Sequence, residues 1–412
     1  MKRAFLLALL LLLAGPAFAQ TEVRFWHAMS GSRGDALQSL VDEFNRQHSD
    51  IRVLAVFKGV EAGGNDYADL HRALLESLAL GTPPEVVQVY ENWTPQLIEV
   101  GALTPMEAFF DGPEGLSRDQ QQDFVQVFRE ANRFGQPART WTLPFNKSLF
   151  VLHYNKEVLG SLGLPPPRTY EELRQTAREV HRRKGIPGLV AEPTVDLFGH
   201  YLLAYGGSFV VADKAVFGGP LGERNLAYWV DLTREGAAVL SPDAGDRFAA
   251  GQAAMYIETT SKIARLERQV ILGVAPLPRG NVRAVQAAGT NLAILSAAPV
   301  DTQKAAWRFV RYLTSPEVSE RWARETGYLP VRMSALRSDS YRAFVRANPN
   351  YAVGVEELSY AVVQPRTPAW EAIRGIVDDA LVLALSGRLS PEVALDRAVA
   401  LSNEMLVRLQ GR

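Results

Sequence analysis

Glu91 closes a short apolar run, Pro83-Pro84-Glu85-Val86-Val87-Gln88-Val89-Tyr90-Glu91-Asn92-Trp93. Val86 to Tyr90 reads as a buried strand, β-branched and nearly free of polar residues. In open α/β sheets, ligands sit in the crevice beyond the carboxyl ends of strands. A carboxylate there accepts hydrogen bonds from hydroxyl groups. The Trp93 indole beside it offers either a stacking face or core packing. This is the chemistry of holding a polar solute. Signatures of covalent and metal chemistry are missing: residues 20–412 contain no G-x-S-x-G elbow, no H-E-x-x-H pair and no P-loop. The histidines, His27, His48, His71, His153, His181 and His200, form no close metal-binding pair. Cysteine is absent, which excludes thiol nucleophiles, disulfides, cysteine metal sites and a lipid-modified cysteine. No catalytic residue, metal or cofactor is expected.

The elements that must position Glu91 follow from periodicity. Residues 22–27 alternate as a strand, and Asp35 can cap a helix carrying Leu37, Leu40, Val41 and Phe44. Ile51 to Phe57 is a second strand. Tyr67 to Leu80 is a second amphipathic helix, ended by Gly81. The first hundred residues thus read β-α-β-α-β, a mostly parallel sheet with helices on its faces. Helical segments follow around 96–110 and 117–134. Thr142 to Ser148 reads as a break before a strand over 149–154. A new α/β pattern starts after Leu164-Pro165-Pro166-Pro167, with Thr169 and Glu172 as a capping box. From Thr302 the chain is mainly helical.

Lys2 and Arg3, the apolar run Leu6 to Leu13, and Ala17-Phe18-Ala19 predict a signal peptide over 1–19. No other apolar run approaches the roughly 20 residues of a membrane span. An exported chain without a lipid anchor or membrane span is expected in the periplasm of a bacterium with an outer membrane, or is secreted. A formal net charge of −1 gives no reason to invoke nucleic acid.

Trp26-His27-x-Met29, Phe248-x-x-Gly251-x-Ala253-Ala254-Met255 and Gly327-Tyr328-Leu329-Pro330 resemble the extracellular solute-binding proteins of carbohydrate-type ABC importers (family 1). Phe25-Trp26-His27, Lys58-Gly59, Gln88-Val89-Tyr90-Glu91, Pro144-Phe145-Asn146-x-Ser148, Tyr154-Asn155-Lys156 and Thr326 to Pro330 narrow the resemblance to the glycerol-3-phosphate-binding branch. The resemblance implies an α/β, two-lobed periplasmic-binding-protein fold of type II with three hinge crossings. These are expected near Lys147, Gln286 and Gly327. The N-terminal lobe would hold 20–146 and 287–326. The C-terminal lobe would hold 147–286 and 327–412. The implied partners are a small-molecule ligand, a phosphorylated polyol or sugar, and an inner-membrane ABC permease with its ATPase. The protein is expected to act as a monomer.

Carried over by position, the resemblance implies ligand contacts from Tyr67, Glu91, Ser148, Thr259, Gly289, Tyr328 and Arg366. Tyr67 otherwise caps a helix, Glu91 is otherwise a surface residue, and Gly289 otherwise serves a turn. Glu91 would read the hydroxyl end of the ligand. Ser148 and Arg366 would read a phosphate, which suits the planar fork of arginine. Arg374 is the alternative cation, or simply lies on a helix face. The branch has a tryptophan-rich segment where this chain has Ala191-Glu192-Pro193-Thr194-Val195-Asp196-Leu197-Phe198. Glu192 is therefore a further candidate, for hydroxyls or for a cationic headgroup such as choline, and Trp93 is another. The expected function is capture of sn-glycerol 3-phosphate or a glycerophosphodiester. The alternatives are an oligosaccharide-binding protein or a secreted hydrolase using Glu91 and Glu192 as paired carboxylates.

Overall fold

The computed structural model describes residues 20–59 and 66–410. The expected signal peptide over 1–19 lies outside them. Apolar positions on Thr21–His27 alternate, so Val23 and Phe25 are buried inward. This strand pairs in parallel with Ile51–Phe57 on one side and with Val86–Val89 on the other. The helices Gly31–Gln47 and Asp66–Ala79 connect them, which completes the expected β-α-β-α-β unit.

Two long antiparallel strands then carry the chain across the molecule. Leu143–Asn155 is strand throughout, and residues 143–148, expected as part of a break, are its first half. Pro144 does not interrupt it, because pairing with Val285–Ile294 supplies the remaining ladder bonds. The front half of Leu143–Asn155 and the last residues of Val285–Ile294 extend the first sheet, Asn291 to Ile294 pairing antiparallel with Val86–Val89. The rear half of Leu143–Asn155 pairs with Met255–Thr259 and Leu272–Ala275. Leu189–Ala191 and Ala238–Leu240 add parallel strands beyond Met255–Thr259. The result is one ten-stranded ladder that serves two packed halves.

Each half has its own core. Phe25, Phe44, Phe309 and Trp322 fill the first. Tyr170, Tyr228, Trp229 and Met255 fill the second. The helix Trp370–Leu385 packs through Trp370, Ile373 and Val377 against Phe198 and Phe217. Helices expected around 96–110 and 117–134 are short pieces, among them Thr94–Glu99 and Gln126–Ala131.

The expected third boundary at Gly327 does not match the packing. Val331, Leu336 and Tyr341 lie in the first core. The Val331 carbonyl accepts from Val125 N–H and the Met333 N–H donates to the Asp123 carbonyl. Tyr351 and Val353 pack instead with Leu272 and Val274 of the second half. The helices Asp339–Ala347 and Pro349–Glu357 thus bridge the two halves, with Phe344 touching both and Val355 and Leu358 still packed on the first core. The local Gly-Tyr-Leu-Pro pattern marks a helix stop, which need not coincide with a change of core.

Candidate functional site

Between the halves lies a cavity of about 270 Å³ whose lining includes Arg33, Tyr67, Tyr90, Ser148, Glu192, Glu258, Thr259, Lys262, Gly289, Tyr328 and Arg374. An adjoining compartment of about 130 Å³ shares Tyr67, Tyr90, Gly289 and Arg374 and adds Glu91 and Trp93. Of the expected contacts, Tyr67, Ser148, Thr259, Gly289 and Tyr328 line the larger space together.

A buried polar chain holds Tyr67 in place. Gln88, fully buried in its strand, accepts from the Ala28 N–H at 2.9 Å and donates to Asn146 at 3.3 Å. Asn146 in turn donates through Nδ2 to the Tyr67 hydroxyl at 3.2 Å. The Tyr67 and Tyr90 rings are 4.9 Å apart, and Tyr90 meets Trp93 edge-on at 5.1 Å. Trp93 stacks on His71 at 4.2 Å and is only 3% exposed. Its burial assigns most of its surface to core packing.

Gly289 answers to geometry before chemistry. Its φ is +100°, and a Cβ there would lie 1.8 Å from the Asn146 carbonyl oxygen. Only glycine lets the crossing strands approach this closely beside the cavity. The Thr259 and Ser261 hydroxyls are 2.8 Å apart, and both residues face the cavity. Ser148 is buried on the crossing strand and reaches the same space.

Glu91 is already engaged. Lys147 is completely buried and ion-pairs with it, and also donates to the Gly289 carbonyl at 3.2 Å. Burial pushes the Lys147 ammonium down and Glu91 holds it up. A lysine inside the crossing strand requires such a partner. Glu91 therefore serves the join between the halves while one side of it borders the smaller compartment.

Arg366 is not in either compartment. Its Nη1 donates to the backbone carbonyls of Glu130 at 2.8 Å and Arg133 at 3.0 Å, and its guanidinium stands over the Phe134 ring. Those carbonyls lie at the end of the helix Gln126–Ala131 and in the short strand Arg133–Phe134, and draw the side chain away from the cleft. Arg374, one turn into the next helix, is the arginine that lines the cavity. It makes two bonds to Asp196, at 3.1 and 3.0 Å, and one to Gln364 at 2.9 Å.

Glu192 borders the cavity as expected, on the loop that precedes Val195–Ala204. Burial, with help from the nearby Glu258 carboxylate, pushes it up to about 7. Sequence reasoning missed Arg33, Tyr90, Asp196, His200, Glu258 and Lys262. Glu192, Asp196 and His200 recur every four residues into a helix, a spacing that would have grouped them. Arg33 carries no such signal in an arginine-rich chain.

A family model for bacterial extracellular solute-binding proteins matches residues 30–320. The chain belongs to this family. This solute-binding protein is 26% identical to the sn-glycerol-3-phosphate-binding periplasmic protein UgpB of Yersinia enterocolitica, over 99% of this chain and 98% of that one. It is also 26% identical to UgpB of Salmonella typhimurium, over 98% and 97%. Its fold is similar to that of UgpB from Mycobacterium tuberculosis, solved in complex with glycerophosphocholine. That pair has a TM-score of 0.85 and 22% identity over 94% of this chain and 98% of the other. The GacH receptor of Streptomyces glaucescens, solved unliganded and in complex with acarbose, gives a TM-score of 0.83 and 22% identity over 94% and 98%. The fold is the two-lobed type II fold. The solute-binding protein works outside the cytoplasm with an ABC permease, and its activity is binding, not catalysis.

Proposed function

We propose that this protein captures a glycerophosphodiester, or sn-glycerol 3-phosphate, between its lobes and delivers it as a monomer to an inner-membrane permease driven by an ATPase. The observation that carries this reading is the charge pattern of one small cavity. Guanidinium groups of Arg33 and Arg374, carboxylates of Glu192 and Glu258, and the hydroxyls of Ser148, Thr259 and Tyr328 all face it. A phosphate needs charge-assisted donors, a polyol needs hydroxyl partners, and a choline or ethanolamine group needs anionic or aromatic company. At about 270 Å³ the cavity falls just under the ~300–1,000 Å³ usual for larger organic ligands. The UgpB names of its relatives support the glycerol phosphate part of the reading. Closure around the ligand would bend the two crossing strands.

Native mass spectrometry of the purified protein, followed by calorimetric titration with glycerophosphocholine, glycerol 3-phosphate and maltotriose, tests this reading. Binding of a phosphate ester in preference to the sugar is expected. Tight maltotriose binding with no response to either ester would replace it with an oligosaccharide importer.

A further inference from the structure

Five cationic side chains surround the cleft, and their partners differ. Lys147 is saturated by Glu91 and the Gly289 carbonyl. Arg374 commits both terminal nitrogens to Asp196 and Gln364. An anion placed against it would also face the Asp196 carboxylate. Arg366 spends its donors on carbonyls outside the cavity. Lys262 has no carboxylate within ion-pair distance among the described residues, and Glu192 is its electrostatic neighbour. Arg33 likewise has no carboxylate within ion-pair distance among the described residues; Glu258 acts on it from farther off, and it lies half-buried beside two phenols that line the same cavity. Its polar contact is the Tyr328 hydroxyl, at a long 3.4 Å.

The hydrogen-bond balance around Arg33 is one-sided. Tyr328 accepts from Arg33, and its own hydroxyl proton has no acceptor among the described residues. Tyr67 accepts from Asn146, and its proton has no acceptor among them either. A guanidinium and two phenols then face one space with more donors than acceptors. A half-buried charge with no carboxylate at ion-pair distance among the described residues is costly to keep, and an oxyanion would relieve all three groups at once.

We propose that Arg33, with the Tyr67 and Tyr328 hydroxyls, is the phosphate subsite of this protein. The ligand would be a phosphate mono- or diester whose phosphate lies against these residues and whose remaining end points to Glu192 and Glu258. This inference rests on the proposed ligand class and assigns the anion to a residue of the first lobe in place of Arg366.

The test is calorimetry on the mature protein and its Arg33→Met and Arg33→Lys variants, with glycerol 3-phosphate, glycerophosphocholine and maltotriose as probes. Removing a charge-assisted pair should weaken both esters about 10- to 100-fold in Arg33→Met, with partial recovery in Arg33→Lys. Tyr67→Phe and Tyr328→Phe keep the rings and remove only the donor protons, so they provide the test should the arginine variants fold poorly. Each should weaken the esters about 3- to 10-fold. Ester binding within about threefold of wild type in Arg33→Met, or in both tyrosine variants if the arginine variants do not fold, overturns the subsite while leaving the ligand class standing. Wild-type protein that binds maltotriose and neither ester overturns the ligand class, and the subsite with it.

Discussion

The two walls of the cleft are built from different chemistry. The wall around Arg33, Tyr67, Tyr90 and Tyr328 is aromatic and carries one guanidinium without a carboxylate partner among the described residues. The facing wall holds Glu192, Glu258 and Asp196, with Lys262 and Arg374 among them. On this second wall the charges mostly answer each other, as in the Arg374–Asp196 pair. On the first wall Arg33 has no carboxylate at ion-pair distance among the described residues, and Glu258 acts on it only from farther off. A ligand with one negative end and one neutral or positive end therefore has a preferred direction in this cavity. Net charge, near zero for the whole chain, carries no hint of this.

The strongest way to break the contrast is to remove what joins the walls. Lys147→Met leaves Glu91 without its partner beside a buried strand, and should cost about 3–5 kcal/mol of stability. Denaturant unfolding of the variant measures it. Glu91→Gln leaves the completely buried Lys147 ammonium with neutral acceptors alone and should cost at least as much.

A smaller effect sharpens the acidic wall. Glu192→Gln should weaken glycerophosphocholine about fivefold, the ~1 kcal/mol of one partly exposed charge contact, while glycerol 3-phosphate changes little. Competition calorimetry with the two esters reads the difference. Equal losses for both would mean that Glu192 does not face the end opposite the phosphate.

The same residue predicts a pH response. Burial and the neighbouring Glu258 raise Glu192 to about 7, against ~4.3 for an exposed glutamate. The folded protein thus holds a proton that the unfolded chain releases, so this group favours folding at low pH. That contribution is lost as pH rises from ~4.3 to about 7. Affinity for a cationic headgroup runs the other way, because ionised Glu192 is the form that attracts it. Glycerophosphocholine should bind about threefold more tightly at pH 8 than at pH 6. Glycerophosphoglycerol, a diester without the cation, should not follow it. Lys262, Glu258 and Asp196 act on the same group, so the response should be shallower than that of an isolated carboxylate.

The smallest effect is expected outside the cleft. Arg366→Ala removes contacts to two exposed carbonyls and should change ester affinity by no more than about threefold. Stopped-flow dissociation rates would detect it. A loss as large as that of Arg33→Met would return the phosphate to the second lobe.

Much of the fold was legible from local patterns. The alternation in residues 22–27, the helix faces at Leu37 to Phe44 and the apolar strand before Glu91 depend on short-range periodicity. Five of the expected contacts share the larger cavity; Tyr67, Thr259 and Tyr328 lie at helix or strand ends, which local pattern marks, whereas Ser148 and Gly289 lie inside the crossing strands. Arg366 failed because an arginine side chain is long and takes the nearest acceptors, which here are the carbonyls of Glu130 and Arg133 at the end of one helix and the start of a short strand. The boundary at Gly327 failed because a helix stop is local while lobe membership is decided by long-range packing.

The amino-acid sequence by itself determined the β-α-β-α-β opening, the absence of cysteine chemistry and the motifs that single out Tyr67, Ser148 and Tyr328. Only the tertiary structure decided which charges remain unanswered. Lys147 and Glu91 are 56 positions apart and cancel, Arg374 and Asp196 are 178 apart and cancel, and Arg33 meets a phenol 295 positions away. Pairing over such separations depends on where the crossing strands bring the lobes together, and periodicity along the chain holds no record of it.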